Sequence, residues 1–182
     1  MDINIKRDLY RVIPKPFNYL NMLNGFRSKG FKYLFFYRLK KNSKNIVLNF
    51  FLKLILRFLT YRYGFQIPLK TKIGGGFFIG HFGTIVISQN AAIGMNCNIA
   101  HNVTIGAARG ERKGAPTIGD KVWIGTGSVL TGNIVIGNDV LIAPNAFVNI
   151  DVPSNSIALG NPVKIIPKKN PTEFYINNIS IL

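Results

Sequence analysis

The chain has 182 residues, 47% of them hydrophobic, which suits one compact unit with its own core and excludes simple disorder. A single cysteine, Cys97, excludes an internal disulfide and fits a reducing compartment. The net charge is +16 and no acidic side chain lies between Asp8 and Glu111, so the expected partners are anions: nucleic acid, acidic lipid headgroups or phosphorylated small molecules.

The N-terminus, MDINIKRDLY, has no apolar signal-like run. The expected location is therefore the cytoplasm or the cytoplasmic face of an inner membrane. Residues 1–64 read as a basic, aromatic-rich helical segment. Its last helix is expected to start at a Ser43 N-cap and to stop at Gly64. Between Ile46 and Leu59 the only polar residues are Asn49, Lys53 and Arg57, spaced by four, which makes a narrow polar stripe on an apolar helix. A membrane span needs about 20 apolar residues, and this run is too short and too charged. Two readings leave the same trace: an interfacial helix in peripheral contact with an anionic membrane, or a helix packed within its own domain or against a sister subunit.

From residue 71 the hydrophobic period becomes six. Aliphatic residues fall at Ile73, Ile79, Ile87, Ile93, Ile99 and Ile105, and again at Ile118, Ile124, Leu130, Ile136, Ile142 and Val148. The next residue is Gly, Ala or Ser in all cases except Thr131 and Asn149. Each unit is a short strand plus a tight corner, where a small residue is needed because the backbone turns with little room for a Cβ. Three units close one triangular coil, and successive coils pair as parallel strands about 4.8 Å apart. The predicted fold is mainly β: a parallel β-helix after a short helical segment. Spacing does not give its hand.

Only two histidines occur, His81 and His101. Each lies two residues after the second aliphatic position of its coil, at Ile79 and Ile99. The first coil has two extra residues before Ile87. If these follow His81, the two imidazoles stack on one edge of adjacent coils. Such a pair suits proton transfer, since imidazole titrates near neutral pH; a hydrogen-bonded, inert histidine is the plainer reading.

The stretches KIGGGFFIGHFGTIVIS, NVTIGAARG and SIALGNPVKII resemble the hexapeptide-repeat acyltransferases of the left-handed parallel β-helix type, over roughly residues 65–167. They look like the serine acetyltransferase branch, and most like its relatives that O-acetylate sugars. The resemblance implies a β-helix domain at 65–167 with a tail at 168–182, a homotrimer, acetyl-CoA as co-substrate, no metal, and an active site between neighbouring β-helices. His81 matches the general base that deprotonates the acceptor hydroxyl for direct transfer. His101 would orient it, touch substrate or take the base role itself. Cys97, at an inward position, reads as a core thiol rather than an acyl carrier. By resemblance, Gly125, Thr126, Ala143 and Pro144 line the CoA site, and the insertion at 107–116 is a flap. Gly106, Ala107 and Arg109 would meet CoA there, unless the insertion is an ordinary solvated loop. Trp123 would wall the pantetheine channel or pack on the outside, and Lys164 and Lys168 would meet phosphates or form a basic tail.

Three departures bear on the acceptor. Serine acetyltransferases usually carry Asp where this chain has Gly80, another Asp at the position of Gln66, and a second His at Ala115. Gly80 and Gln66 are therefore the candidate substrate-binding positions, with their carboxylates missing. These losses favour a neutral sugar hydroxyl, in capsule, O-antigen or exopolysaccharide synthesis, over serine. A lipid-linked saccharide acceptor would also account for the basic, apolar N-terminal segment. The alternatives are a serine O-acetyltransferase and a non-catalytic trimeric scaffold. A zinc site of the three-histidine type lacks its third ligand, and no nucleic-acid-binding motif occurs.

Overall fold

The computed structural model describes residues 1–179. Its chain opens with helices α1 (Ile3–Val12), α2 (Tyr19–Gly25), α3 (Lys29–Asn42) and α4 (Ile46–Tyr63). Polar caps start them: the side chains of Asp2, Asn18 and Ser28 each accept a backbone N–H of the first turn. The cap of α4 is Asn45, which accepts from the Leu48 N–H at 2.9 Å, and not the expected Ser43. Ser43 instead closes α3, donating its N–H to the Leu39 carbonyl at 3.0 Å. Gly64 ends α4 at φ 78°, the left-handed conformation that glycine adopts without a Cβ clash.

The rest of the chain coils into a left-handed parallel β-helix with three flat faces. Face one stacks β1 (Phe65–Gln66), β4 (Ile85–Ile87), β7 (Val103–Gly106), β10 (Val129–Thr131) and β13 (Phe147–Val148). Face two stacks β2 (Lys72–Ile73), β5 (Ala92–Ile93), β8 (Thr117–Ile118) and β11 (Val135–Ile136). Face three stacks β3 (Phe78–Ile79), β6 (Asn98–Ile99), β9 (Trp123–Ile124), β12 (Val140–Ile142) and β14 (Ser156–Leu159), and β15 (Lys164–Pro167) closes it as the antiparallel partner of β14.

Register follows the six-residue period. Ile73 pairs with Ile93, which pairs with Ile118; Ile79 pairs with Ile99, which pairs with Ile124. Ile87, Ile105, Leu130 and Val148 form the third column. All twelve aliphatic positions are buried, so the interior is a set of stacked aliphatic columns. Removing such side chains from water is the main stabilising term of the fold. The small residues at the corners are sterically required: a Cβ on Gly94 would lie 2.6 Å from the Gly119 carbonyl carbon and oxygen of the next coil.

Two buried arginines clamp the helices to this solenoid. Arg38 of α3 pairs with Asp8 of α1 at 3.0 Å and donates to the carbonyls of Ile73 and Gly74 at 2.6 Å each. Asp8 also accepts the Phe77 N–H at 3.0 Å. Burial pushes the Asp8 carboxyl above its usual range, while Arg38 and that N–H pull it down. Arg11 donates to the Gly76 carbonyl at 2.7 Å and to Asn98 at 2.6 Å. Segment 168–179 then folds back along face three. Thr172 bonds Asp139, Asn98 donates to the Tyr175 carbonyl, and Arg11 donates to the Asn177 carbonyl.

Candidate active site

The corner after face three carries both histidines. Ile79 and Ile99 are in register, so His81 and His101 follow at equivalent positions. Their rings meet edge to face, with centroids 5.9 Å apart at 86°. The two extra residues of the first coil fall at this corner, between Ile79, opposite Ile99, and Ile85, opposite Val103. The chain bends over His101 at Gly83, φ 138°, where a Cβ would approach the His101 Cβ at 3.1 Å. His81 is exposed and His101 half-buried, and Nδ1 of His101 is buried without a hydrogen-bond partner.

The same edge continues through the next coils. Thr126 and Pro144 stand two residues after Ile124 and Ile142, in line with the histidines. The Gly127 N–H donates to the His101 carbonyl at 3.2 Å, and the Gly125 N–H to Ile142 at 2.9 Å. Gly125, Thr126, Ala143 and Pro144 therefore share the histidine edge. The 107–116 insertion does not: it leaves the far side of face one as a small hairpin bridged between Ala108 and Gly114. It is tied to the next coil by the Asn133 N–H donating to Arg112. Gly106, Ala107 and Arg109 are thus separated from His81 by the width of face one. Lys164 and Lys168 are exposed at the end of face three. Trp123 lies on face three, its ring 4.8 Å from that of Tyr175 in the returning C-terminal segment. Gln66 lines a separate cavity of about 450 Å³ with Val86 and Gln89, away from the one that His81 lines.

Gly80 and His81 line a cavity of about 380 Å³ with Phe78 and Phe82, and the N-terminal segment supplies Arg11, Arg27, Ser28 and Lys29 to its other side. No acidic side chain lines it. The Lys29 ammonium sits 3.6 Å from the Phe82 ring centroid, a cation–π contact beside His81. Burial brings the Arg11 pKa down to about 10, which leaves it cationic at neutral pH. This cationic wall was not visible in the sequence. The acid-free run from Asp8 to Glu111 was its trace, but linear spacing cannot tell which cations reach His81. Helix α3 is held there because Gly30 packs on β3, where a Cβ would lie 2.2 Å from the Ile79 carbonyl oxygen.

Cys97 is buried against the Gly119 carbonyl at 3.2 Å, and burial pushes its thiol up to about 12. Among the described residues, no group of three or more His, Cys, Asp or Glu side chains could hold a metal.

Residues 115–149 match the bacterial transferase hexapeptide (six repeats) family model. That stretch lies within the solenoid. The chain is 40% identical over 116 residues to a serine acetyltransferase of Helicobacter pylori, covering 63% of this chain and 66% of that protein. It thus spans just under two thirds of that relative's length. Among solved structures, a Brucella abortus serine acetyltransferase in complex with Coenzyme A superposes with a TM-score of 0.73 at 27% identity, covering 91% of this chain and 67% of that one. A Neisseria gonorrhoeae serine acetyltransferase in complex with serine superposes with a TM-score of 0.71 at 26% identity, covering 88% and 66%.

These relatives overturn the expected closeness to polysaccharide O-acetyltransferases and the sugar acceptor with it. Gly80 and Gln66 lack the carboxylates, and Ala115 the imidazole, usual in serine acetyltransferases, but linear spacing does not show the cations that the N-terminal segment brings to His81.

Proposed function

We propose that the protein is an acetyl-CoA-dependent O-acetyltransferase with serine as acceptor. The observation that carries this reading is the cavity in which an exposed imidazole faces a wall of cations without a carboxylate. A small hydroxy acid fits such a site: its carboxylate meets Arg27 and Lys29 while its hydroxyl reaches His81. The serine complex and the CoA complex among the structural relatives support acceptor and donor respectively.

In this mechanism His81 accepts the hydroxyl proton as the oxygen attacks the thioester carbonyl, and the CoA thiolate departs without a covalent acyl-enzyme. The Cys97 thiol is buried and held protonated, and so takes no part. His101 orients His81. The edge formed by Gly125, Thr126, Ala143 and Pro144 holds the pantetheine arm. Assembly into a homotrimer would bring the 107–116 flap of one chain toward the histidine edge of its neighbour, which accounts for their separation within one chain.

The test is thiol release from acetyl-CoA with serine as acceptor, in wild type, His81→Ala and His101→Ala. Serine-dependent release that is lost in His81→Ala, with assembly unchanged, is the expected result. No release with serine, or equal release by His81→Ala, overturns the reading.

A further inference from the structure

Helix α4 keeps one full face out of the fold. It buries Leu52, Leu56 and Leu59. Val47, Phe51, Leu54, Phe58 and Tyr61, spaced alternately by four and three, are exposed by 67, 56, 49, 66 and 78%. That spacing lines them up as one apolar stripe, and soluble surfaces rarely carry one this continuous. Lys53 and Arg57 flank the stripe. Together with Lys40 of α3 and the rings of Tyr33, Tyr37 and Tyr61 they line a groove of about 380 Å³ between α3 and α4. No acidic residue occurs anywhere in α3 or α4.

Two occupants suit an apolar stripe: a second copy of the helix, or the interfacial layer of a membrane. A second copy packed along the stripe would bring Lys53 and Arg57 toward their own counterparts, with no carboxylate on either helix to pair them. Like charges facing each other at a drying contact are costly. An anionic lipid surface supplies acyl chains for the stripe and phosphate for the cations at once. Among the described residues no helix is long and apolar enough to cross a membrane. An 18-residue helix, about 27 Å long, can lie in the interface plane instead.

We infer that α4 is a docking face for an anionic phospholipid membrane. The Val47–Tyr61 stripe enters the acyl boundary, and the Lys40–Lys53–Arg57 groove receives a headgroup phosphate. The inference is independent of the acceptor and of catalysis.

Co-sedimentation of the full chain with phosphatidylcholine vesicles, with and without phosphatidylglycerol, tests it. It is run beside a Lys53→Glu/Arg57→Glu variant and a Phe51→Ser/Phe58→Ser variant, with sedimentation velocity on each protein. Wild type is expected to pellet with the anionic vesicles only, and less so as salt rises. Each cation at such a surface contributes roughly fivefold, so the charge reversal should lower partitioning by at least about 25-fold. The aromatic variant should also lose binding, and all three proteins should keep one oligomeric state. Failure of wild type to bind phosphatidylglycerol vesicles overturns the inference, as does equal binding by the charge-reversal variant. A change of oligomeric state in the aromatic variant overturns it too, by making the stripe a contact between copies.

Discussion

His81 and His101 meet because the repeat places them on equivalent corner positions, with Gly83 allowing the chain to bend between them. In the proposed role of general base, His81 would contribute a factor of about 10² to 10⁴. His81→Ala is therefore expected to lower kcat by that range with an unchanged far-ultraviolet circular dichroism spectrum. If Arg27 and Lys29 hold the acceptor carboxylate, Arg27→Ala/Lys29→Ala should raise the KM for serine and leave the KM for acetyl-CoA in place. A parallel rise in both would assign these cations to the CoA phosphates instead. Cys97 is the counterexample to reading chemistry from residue type. Buried and pushed up to about 12, it should resist iodoacetamide in the native protein and react at once in denaturant, as followed by mass spectrometry.

At the scale of elements, the helices are held less by propensity than by buried polar clamps. Asp8→Ala would leave the Arg38 guanidinium buried without its carboxylate, a loss of about 3–5 kcal/mol in typical cases. Equilibrium denaturation should show it as a lower midpoint, with the helical signal lost before the β-helix signal if the two parts uncouple. Caps show how far local reading reaches. Both Ser43 and Asn45 are good N-cap residues, and they stand two positions apart. The backbone N–H of Ser43 is taken by Leu39 at the end of α3, which leaves Asn45 to cap α4. Asn45→Ala should cost about 1 kcal/mol and Ser43→Ala clearly less, by thermal melting of the two variants.

Over the whole molecule, the C-terminal segment acts as a strap. It runs from β15 back to α1, and its Tyr175 covers Trp123, the only tryptophan. Truncation after Lys169 should red-shift the tryptophan emission by exposing that ring, whereas a full-length Tyr175→Leu variant should shift it little. The β-helix was legible from the chain alone because every coil obeys one local rule: an aliphatic residue inward, a small residue at the corner, repeated every six positions. The histidine pairing was legible for the same reason, since register carries it from one coil to the next. The cationic wall beside His81, the separation of the flap from the histidine edge, and the cover over Trp123 were not. Each depends on contacts such as Arg11 with Gly76 or Asn177, made between residues far apart in sequence by elements of different period. A periodic pattern fixes its own neighbours. What docks against the finished solenoid is decided only when helices and strap close on it, and the cationic cavity beside His81 is made there.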